Sequence, residues 1–409
     1  MLLNILIWIM YLVSLYFVVF WLLLLVTRGV KEINGKELFL TASVIIPAYN
    51  EERAIAKTIG SVLNLDYPKE KLEIIIIDDG SCDKTADIVE NFKKRDKRIK
   101  LIRQDNAGKG SALNNGLRSS NGEIFICLDA DSCVKPNALK LMVQCFSDEN
   151  VACVLPTMKT EEPRTFIQKI QWCEYLFNFL YKKVLGELDC VHVTPGPFSV
   201  YKKNVLVELG GFDEGNLTED LEIALRLQKH HYKIVQRLDA EVVTATPDSL
   251  KGFFKQRNRW YKGTMFNVLK YKNMLFNKEY GDFGLLQFPR VAISGFLSVL
   301  ALLLVSYDQL KPLFVKIQNA ASINFDVSLA EHWAKTFSFL DINYINLFFS
   351  IVALALILYI VVLAYRYCNE RLLGYKLSVP LFLIVYAILI ALVWVYVFFE
   401  ISLGRKQKW

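Results

Sequence analysis

The sequence predicts an α/β domain built on a mostly parallel sheet, flanked by helices that cross a membrane or lie along its surface. From Ser43 to about Ala245, short apolar runs alternate with amphipathic stretches, as strands and helices do in such a sheet. Over its 409 residues the chain is 53% hydrophobic, which is too apolar for an ordinary soluble protein. We therefore expect an integral membrane protein that carries one folded domain outside the bilayer.

Residues 1–27 are predicted to form an N-terminal transmembrane helix. Leu2 to Val26 is an almost unbroken apolar run, long enough to cross a bilayer. It lacks the basic start and the small-residue cleavage site of a signal peptide. Arg28, Lys31 and Lys36 follow this run and no basic residue precedes it, so the positive-inside rule places the next domain in the cytoplasm.

Charge and cysteine usage narrow the class of protein. The net charge of +7, from 48 basic and 41 acidic residues, suits an anionic substrate or a membrane surface. Because no basic stripe is interleaved with aromatic residues, we expect no nucleic-acid partner. The eight cysteines form no CxxC pair, which favours buried free thiols in a reducing compartment over a zinc site.

The predicted domain, residues 40–247, places polar residues at the ends of its strands, where ligands of α/β sheets bind. The first strand ends at Pro47, Ala48, Tyr49 and Glu51, and the second ends at Asp79. A carboxylate at such an edge can accept hydrogen bonds from a nucleobase or a ribose. The next loop, 106–111, opens a helix with small residues and Lys109, a pattern that favours an anion such as a diphosphate.

Asp129 and Asp131 end the next apolar run, one residue apart. Such a pair is by itself common in solvated turns, but two hard oxygen ligands at a strand end suit Mg²⁺ or Mn²⁺ that bridges a diphosphate. Three successive strand ends thus offer a base-binding carboxylate, a phosphate loop and a metal pair. A nucleoside diphosphate fits all three.

A second acidic group, Thr218, Glu219 and Asp220, opens an amphipathic helix. One interpretation is an N-cap followed by acidic residues in the first helical turn. The other is a carboxylate that takes the proton from an acceptor hydroxyl during sugar transfer.

Residues 248–285 mix aromatic and basic side chains, which predicts helices lying in the membrane interface. At helical spacing Gln256, Arg259 and Trp260 share one face, where they can present a donor, a cation and a flat ring. The alternative is simple anchoring of Arg259 and Trp260 in the lipid headgroups.

Residues 286–409 contain about three further spans, near 288–307, 345–365 and 379–403. This count puts the C-terminus outside, yet Arg405, Lys406 and Lys408 favour the cytoplasm. Either the charge rule is overridden here or one segment is re-entrant.

In order, the motifs PAYNEE, DDGS, GKGSALN, DAD, TED and QRNRW resemble those of membrane-integrated family 2 glycosyltransferases of the cellulose, hyaluronan and poly-N-acetylglucosamine synthase type. The resemblance covers about residues 43–263 and the flanking helices. It implies a GT-A fold, which is Rossmann-like, and a reaction that inverts the anomeric centre of a nucleotide sugar. One departure is the segment 194–198, Thr-Pro-Gly-Pro-Phe, where the family usually has a Ser-Gly or Cys-Gly step.

The resemblance also implies roles for the motif residues. Asp220, with Glu219 and Arg259 beside it, corresponds to the catalytic group, and Asp129 and Asp131 to the nucleotide and metal ligands. The nucleotide-sugar contacts are Pro47, Ala48, Tyr49, Glu51, Asp79, Lys109 and Asp129. The acceptor and diphosphate contacts are Thr218, Gln256, Arg259 and Trp260.

The implied partners are a nucleotide-sugar donor, membrane lipids and a growing glycan or lipid acceptor. A processive synthase that extends a β-linked polymer from a UDP-sugar at the cytoplasmic face is the favoured interpretation. Transfer of one sugar to a polyprenyl phosphate or glycolipid is the close alternative. A non-catalytic membrane scaffold is the remote one, because it predicts loss of at least one key residue and none is lost.

Overall fold

The computed structural model of the chain describes residues 2–28, 37–322, 344–368 and 378–404. The basic residues Lys31, Lys36, Arg405, Lys406 and Lys408, on which the topology expectations partly rest, lie outside these ranges. The strands are β1 (Ala42–Ala48), β2 (Leu72–Asp78), β3 (Ile99–Arg103), β4 (Ile124–Cys127), β5 (Ser132–Val134), β6 (Val151–Thr160), β7 (Ser199–Lys202) and β8 (Lys233–Thr244). The helices of the first 270 residues are α1 (Leu2–Arg28), α2 (Ile55–Leu63), α3 (Thr85–Lys93), α4 (Lys109–Ser119), α5 (Ala138–Val143), α6 (Phe166–Gly186), α7 (Lys203–Glu208), α8 (Glu219–Lys229) and α9 (Leu250–Lys270).

The eight strands form one sheet in the order β3-β2-β1-β4-β7-β6-β8-β5. β1 pairs in parallel with both β2 and β4, and β2 pairs in parallel with β3. The chain therefore reverses its direction of travel across the sheet between β1 and β4, and a crevice opens at the carboxyl ends of these strands. The predicted α/β fold with a mostly parallel sheet is confirmed, although β7 runs antiparallel to β4 and β6.

Alternating side chains of the central strands explain why the sheet is covered on both faces. Val44 and Ile46 of β1 pack in one buried cluster, whereas Ile45 packs in the cluster on the opposite face. In β2, Ile74 and Ile76 lie on the first face in the same way. Successive strand residues point to opposite faces, so runs such as IIII require apolar partners on both sides.

The membrane-type helices follow the sheet domain. They are α10 (Phe288–Ser322), preceded by a π-helical turn, α11 (Tyr344–Tyr367), and a C-terminal helix, Ser378–Ser402, with a π-helical turn inside it. Among the described residues three helices are long and apolar enough to cross a membrane, namely Phe283–Val315, Leu347–Tyr367 and Ser378–Ser402. α1 is 27 residues long, and its stretch Leu12–Thr27 is a shorter apolar segment.

Both ends of the C-terminal helix contact helices that belong to the sheet domain. Near its start, the Phe382 ring lies 6.3 Å from that of Phe177 in α6. Near its end, Glu400 accepts a hydrogen bond of 2.9 Å from Asn258 and forms an ion pair of 2.7 Å with Lys262, both in α9. A helix that crossed the bilayer would carry one end away from the domain, so the contacts indicate a re-entrant or interfacial helix.

We therefore predict that the C-terminus lies on the same side of the membrane as the sheet domain. A green fluorescent protein fused after Trp409 should fluoresce and alkaline phosphatase fused there should be inactive, provided that the domain is cytoplasmic. As a control, alkaline phosphatase fused after Ser322, at the far end of α10, should be active. An active phosphatase at the C-terminus would contradict the prediction.

Candidate active site

The end of β1 leads directly into a pocket that is rich in carboxylates. Ala48 is buried, Tyr49 is exposed, and Glu51 lies near the two aspartates that follow β4. Burial and, after it, the charges of Asp131, Asp129 and Asp83 together raise the pKa of the Glu51 carboxyl to about 7. Several acids that raise one another's pKa in a half-buried pocket provide a site suited to a cation.

Asp79, after β2, holds the loop that precedes Lys109. Its buried carboxylate accepts hydrogen bonds from Gln104 Nε2 at 2.7 Å and from the backbone N–H groups of Ala107 and Gly108, both at 2.9 Å. Three hydrogen bonds within the protein occupy most of the acceptor capacity of a carboxylate. The observed role of Asp79 is thus to fix the loop, and its contact with a nucleobase stays a prediction.

Lys109 connects the two acidic motifs. Its Nζ lies 2.6 Å from Asp129 Oδ1 and 3.2 Å from Glu219 Oε1. Burial opposes the charged form of Lys109, but Asp129 and Glu219 outweigh it and hold its pKa well above the usual value. The sequence placed this lysine on a diphosphate, and the structure adds that it joins the end of β4 to the start of α8.

Residues 194–198 form one wall of the same pocket. This is the segment in which the sequence departs from the family pattern. A Cβ atom on Gly196 would meet Lys109 Nζ and lie 2.8 Å from Asp129 Oδ1, so only glycine allows this close approach. Thr194 donates from its N–H (3.3 Å) and its hydroxyl (2.8 Å) to the backbone carbonyl of Asp220. The segment therefore ties Asp129 to the acidic helix start.

Asp220 stands at the start of α8 with one carboxylate oxygen bonded to the N–H of Leu221 at 2.8 Å. Burial raises the pKa of Asp220 to about 6 and Glu219 raises it too, while Lys109 and Arg259 act in the opposite direction. A buried carboxyl that titrates near neutrality can take up a proton at physiological pH. Glu219 is itself buried and paired with Lys109, so its observed contact is that of a counter-ion.

The helix that carries the QRNRW motif, α9, packs closely on the TED segment. Asn267 donates to Thr218 Oγ1 at 3.1 Å, and a Cβ on Gly263 would overlap that same hydroxyl. Arg259 donates from Nη1 to the carbonyl of Leu217 at 3.4 Å. Thr218 is the N-cap residue of α8, as predicted, but its side chain makes no capping bond to that helix; it contacts α9 instead.

The site is thus assembled from the ends of β1, β2 and β4, the start of α8 and one face of α9. Residues 43–210 match the family model described as Glycosyl transferase family 2. This part of the chain is a family 2 glycosyltransferase domain. The long apolar helices of the described residues agree with the membrane-integrated type that the motifs resemble.

Two of the curated relatives of this glycosyltransferase domain are bacterial proteins. The chain is 33% identical over 250 residues to the probable glycosyltransferase YdaM of Bacillus subtilis, a match that covers 59% of each chain. It is 31% identical over 243 residues to the poly-beta-1,6-N-acetyl-D-glucosamine synthase of Staphylococcus epidermidis, covering 59% of this chain and 57% of that protein. The matches therefore span little more than half the length of either relative.

Among solved structures, the mannosyltransferase PcManGT from Pyrobaculum calidifontis, in complex with GDP-Man and Mn²⁺, resembles the whole architecture. The TM-score is 0.58 at 20% identity, over 88% of this chain and 94% of that one. At this identity the likeness concerns the fold, and it confirms the GT-A architecture implied by the motifs.

Sequence reasoning missed Arg257, which lies inside the QRNRW motif of the glycosyltransferase. Its guanidinium is fully buried, contacts Glu174 of α6 at 2.5 Å and stacks 4.1 Å from the centre of the Trp260 ring. It also donates to Gln256 Oε1 at 3.1 Å. Arg257 therefore holds the side chains of Gln256 and Trp260. The available signal was Glu174, an acid in the middle of the apolar run IQWCEYLFNFLY.

Replacing Glu174 by Gln should strongly destabilise the protein, because it leaves the Arg257 charge buried without a counter-ion. Breaking such a pair costs about 3–5 kcal/mol. The measurement is the thermal unfolding midpoint in detergent, with the exposed Glu162→Gln as control. The double variant Glu174→Gln, Arg257→Gln should unfold at a higher temperature than Glu174→Gln alone, because it contains no unpaired buried charge. An unchanged unfolding midpoint in Glu174→Gln would contradict the prediction.

The pH dependence of activity should report the carboxyl of Asp220. A base whose pKa is raised to about 6 is protonated below that pH, so kcat/KM should fall on the acid side with an apparent pKa near 6. Because the Glu219 charge raises the pKa of Asp220, Glu219→Gln should move this acid limb to lower pH. Glu90→Gln, on the surface of α3, is the control, and an acid limb that stays in place in Glu219→Gln would refute the coupling.

Proposed function

We propose that the protein transfers a sugar from a nucleotide sugar, with UDP as the nucleotide, to an acceptor at the cytoplasmic face of the membrane, with inversion of the anomeric centre. The observation that carries this proposal is the double ion pair of Lys109. Its ammonium contacts Asp129 on the donor side and Glu219, the neighbour of Asp220. One cation thus brings the predicted donor ligands and the predicted base to the same pocket.

Asp129 and Asp131 would hold Mg²⁺ or Mn²⁺. Burial and the nearby Asp129 raise the pKa of Asp131 to about 6, which indicates two carboxylates close enough to share a cation. Among the described residues no third His, Cys, Asp or Glu joins them in a metal-binding group. This donor set fits Mg²⁺ or Mn²⁺, which take one or two carboxylates and complete their coordination with substrate phosphates and water. When bound, the metal neutralises charge on the leaving diphosphate.

The reaction then follows from the placement of the other side chains. Asp220 takes the proton of the acceptor hydroxyl as the hydroxyl oxygen attacks the anomeric carbon from the face opposite the diphosphate, which accounts for inversion. Lys109 and Arg259 provide positive charge for the diphosphate as it leaves. Gln256, Trp260 and Thr218 line the acceptor side, and Glu51, Asp79 and the end of β1 line the nucleotide side.

Polymer synthesis is the favoured form of this function, because a relative 31% identical to this chain is a poly-beta-1,6-N-acetyl-D-glucosamine synthase. A second form is the transfer of one sugar to a lipid acceptor. It is supported by a group of cations near the pocket. A non-catalytic scaffold is disfavoured because Lys109, Arg259 and the carboxylates lie in one pocket, as turnover requires.

Purified protein in lipid nanodiscs, supplied with Mg²⁺ or Mn²⁺ and a panel of radiolabelled UDP- and GDP-sugars, should transfer label from a UDP-sugar. Long water-soluble products would support the polymer form, and label that enters the organic phase after one sugar would support the lipid form. Asp220→Asn should lower the rate roughly 10²- to 10⁴-fold because the general base is lost.

The control for that variant is Asp87→Asn on the exposed face of α3, which should retain the wild-type rate. Omission of the divalent cation should abolish transfer. Absence of turnover with every donor, or transfer to a hydroxyl acceptor that survives Asp220→Asn, would refute the proposed function.

A further inference from the structure

A polar cluster lies where α6, the loop after it and the start of α10 meet. At its centre is Gln287, only 2% exposed. Its Oε1 accepts from the Tyr181 hydroxyl and from Arg290 Nε, both at 3.1 Å. Its Nε2 lies 3.0 Å from His192 Nδ1. Since arginine can only donate, the amide oxygen must face Arg290, and the amide N–H must therefore donate to His192.

This arrangement determines which ring nitrogen of His192 carries the proton. Burial lowers the pKa of His192 to about 3, and the charges of Arg290 and Lys182 lower it too, so the ring is neutral at physiological pH. A neutral ring that accepts at Nδ1 carries its proton on Nε2. His192 Nε2 is thus a hydrogen-bond donor placed close to two cations.

Within the described part of the chain, no carboxylate lies at ion-pair distance from Lys182 or Arg290. Arg290 packs 5.0 Å from the centre of the Tyr181 ring, and Lys182 lies 5.3 Å from that of Phe179. Burial lowers the pKa of Lys182 to about 8 even though Asp220 and Cys153 oppose the shift. Two partly buried, uncompensated cations favour an anionic ligand.

A small apolar crevice lies between helix α1 and this cluster. It is lined by Phe17 and Trp21 of α1 and by Leu188 and Leu286, and Gln287 lies at its edge. Trp21 packs edge-on against Tyr181 at 4.9 Å. A ligand of both features would have an apolar chain and an anionic end, which is the chemistry of a membrane lipid.

The cluster also lies on the acceptor side of the catalytic pocket. Lys182 is close enough to Asp220 for the carboxylate to raise its pKa. Thr194, two residues after His192, bonds the backbone carbonyl of Asp220 at 2.8 Å. The short segment from His192 to Thr194 therefore connects the cluster to the residue proposed as the base.

We propose that Lys182, His192 and Arg290 bind the phosphomonoester headgroup of one membrane lipid, whose chain lies along the α1 crevice, and that this lipid is the sugar acceptor. The proposal deepens the lipid-acceptor form of the proposed function and rests on it. A phosphomonoester carries a charge of about −1.5 to −2 and three terminal oxygens, which match two cations and three donor groups. The phosphodiester of a bulk phospholipid offers one charge and two such oxygens.

In this reaction a phosphate oxygen of the lipid attacks the anomeric carbon. The new bond joins that oxygen to the carbon, the bond from the carbon to the nucleotide diphosphate breaks, and UDP leaves with the electron pair. A proton on the attacking phosphate, where present, passes to Asp220.

The test is calorimetric titration of the full chain, in phosphatidylcholine nanodiscs, with farnesyl phosphate, farnesol and inorganic phosphate. Farnesyl phosphate should bind much more tightly than the other two. Lys182→Met and Arg290→Gln should each weaken it about tenfold or more, because each removes a charged hydrogen-bond donor. Arg290→Lys, which keeps the charge, should recover part of the affinity, and Lys169→Met, on the same helix α6, should bind as the wild type does.

Equal binding of farnesol, an unchanged affinity in both cluster variants, or equal competition by phosphatidylglycerol would overturn the proposal. In a second arm, labelled UDP-sugar should pass to farnesyl phosphate in the wild type and not in Arg290→Gln; binding without transfer would overturn the acceptor role. The titration needs no donor and tests the lipid site alone, whereas slow release of UDP from a UDP-sugar by water, measured without lipid, tests donor use by the proposed active site. The two failures are therefore distinguishable.

Discussion

The Lys109 ammonium is the contact on which the catalytic pocket depends. Carboxylates from three parts of the chain lie close together there, and their mutual repulsion disfavours the charged form of each buried group. Lys109, held by a loop that Asp79 anchors, offsets this repulsion by pairing with Asp129 and Glu219. Burial, together with the remaining negative charge, raises the pKa values of Glu51, Asp131 and Asp220. A divalent cation and a donor diphosphate would complete this charge balance. The carboxylates of the pocket suit the cation, and its basic side chains suit the diphosphate.

Helix α9, which carries the QRNRW motif, connects this pocket to the membrane-type helices. One side of α9 contacts the TED segment through Gly263 and Asn267. Its other side contacts the C-terminal helix, where the Tyr261 and Trp394 rings stack at 4.6 Å and Lys262 pairs with Glu400. Glu174 binds the same helix to α6 through Arg257. A shift of either membrane-side helix would therefore move Arg259 and Trp260 relative to Asp220.

The loop after α6 links the catalytic pocket to the proposed lipid site. Within a few residues it presents His192 to Gln287 and Arg290, Thr194 to the carbonyl of Asp220, and Gly196 to Lys109 and Asp129. The departure from the family pattern in this loop is thus located between the proposed donor, base and lipid sites. Sequence changes here are in a position to select the acceptor without altering the motif residues.

The sequence by itself determined the sheet and the approximate places of its functional residues. Apolar runs define the strands locally, and parallel strands bring their carboxyl ends to one edge, so the positions of Asp79, Lys109 and Asp129 could be predicted. It did not determine which charges pair. Glu174 and Arg257 are 83 residues apart, and Lys109 and Glu219 are brought together only by the tertiary fold. The contacts of the C-terminal helix with Asn258 and Lys262 likewise appear only in the structure, because hydropathy records the length of an apolar run but not what its ends contact.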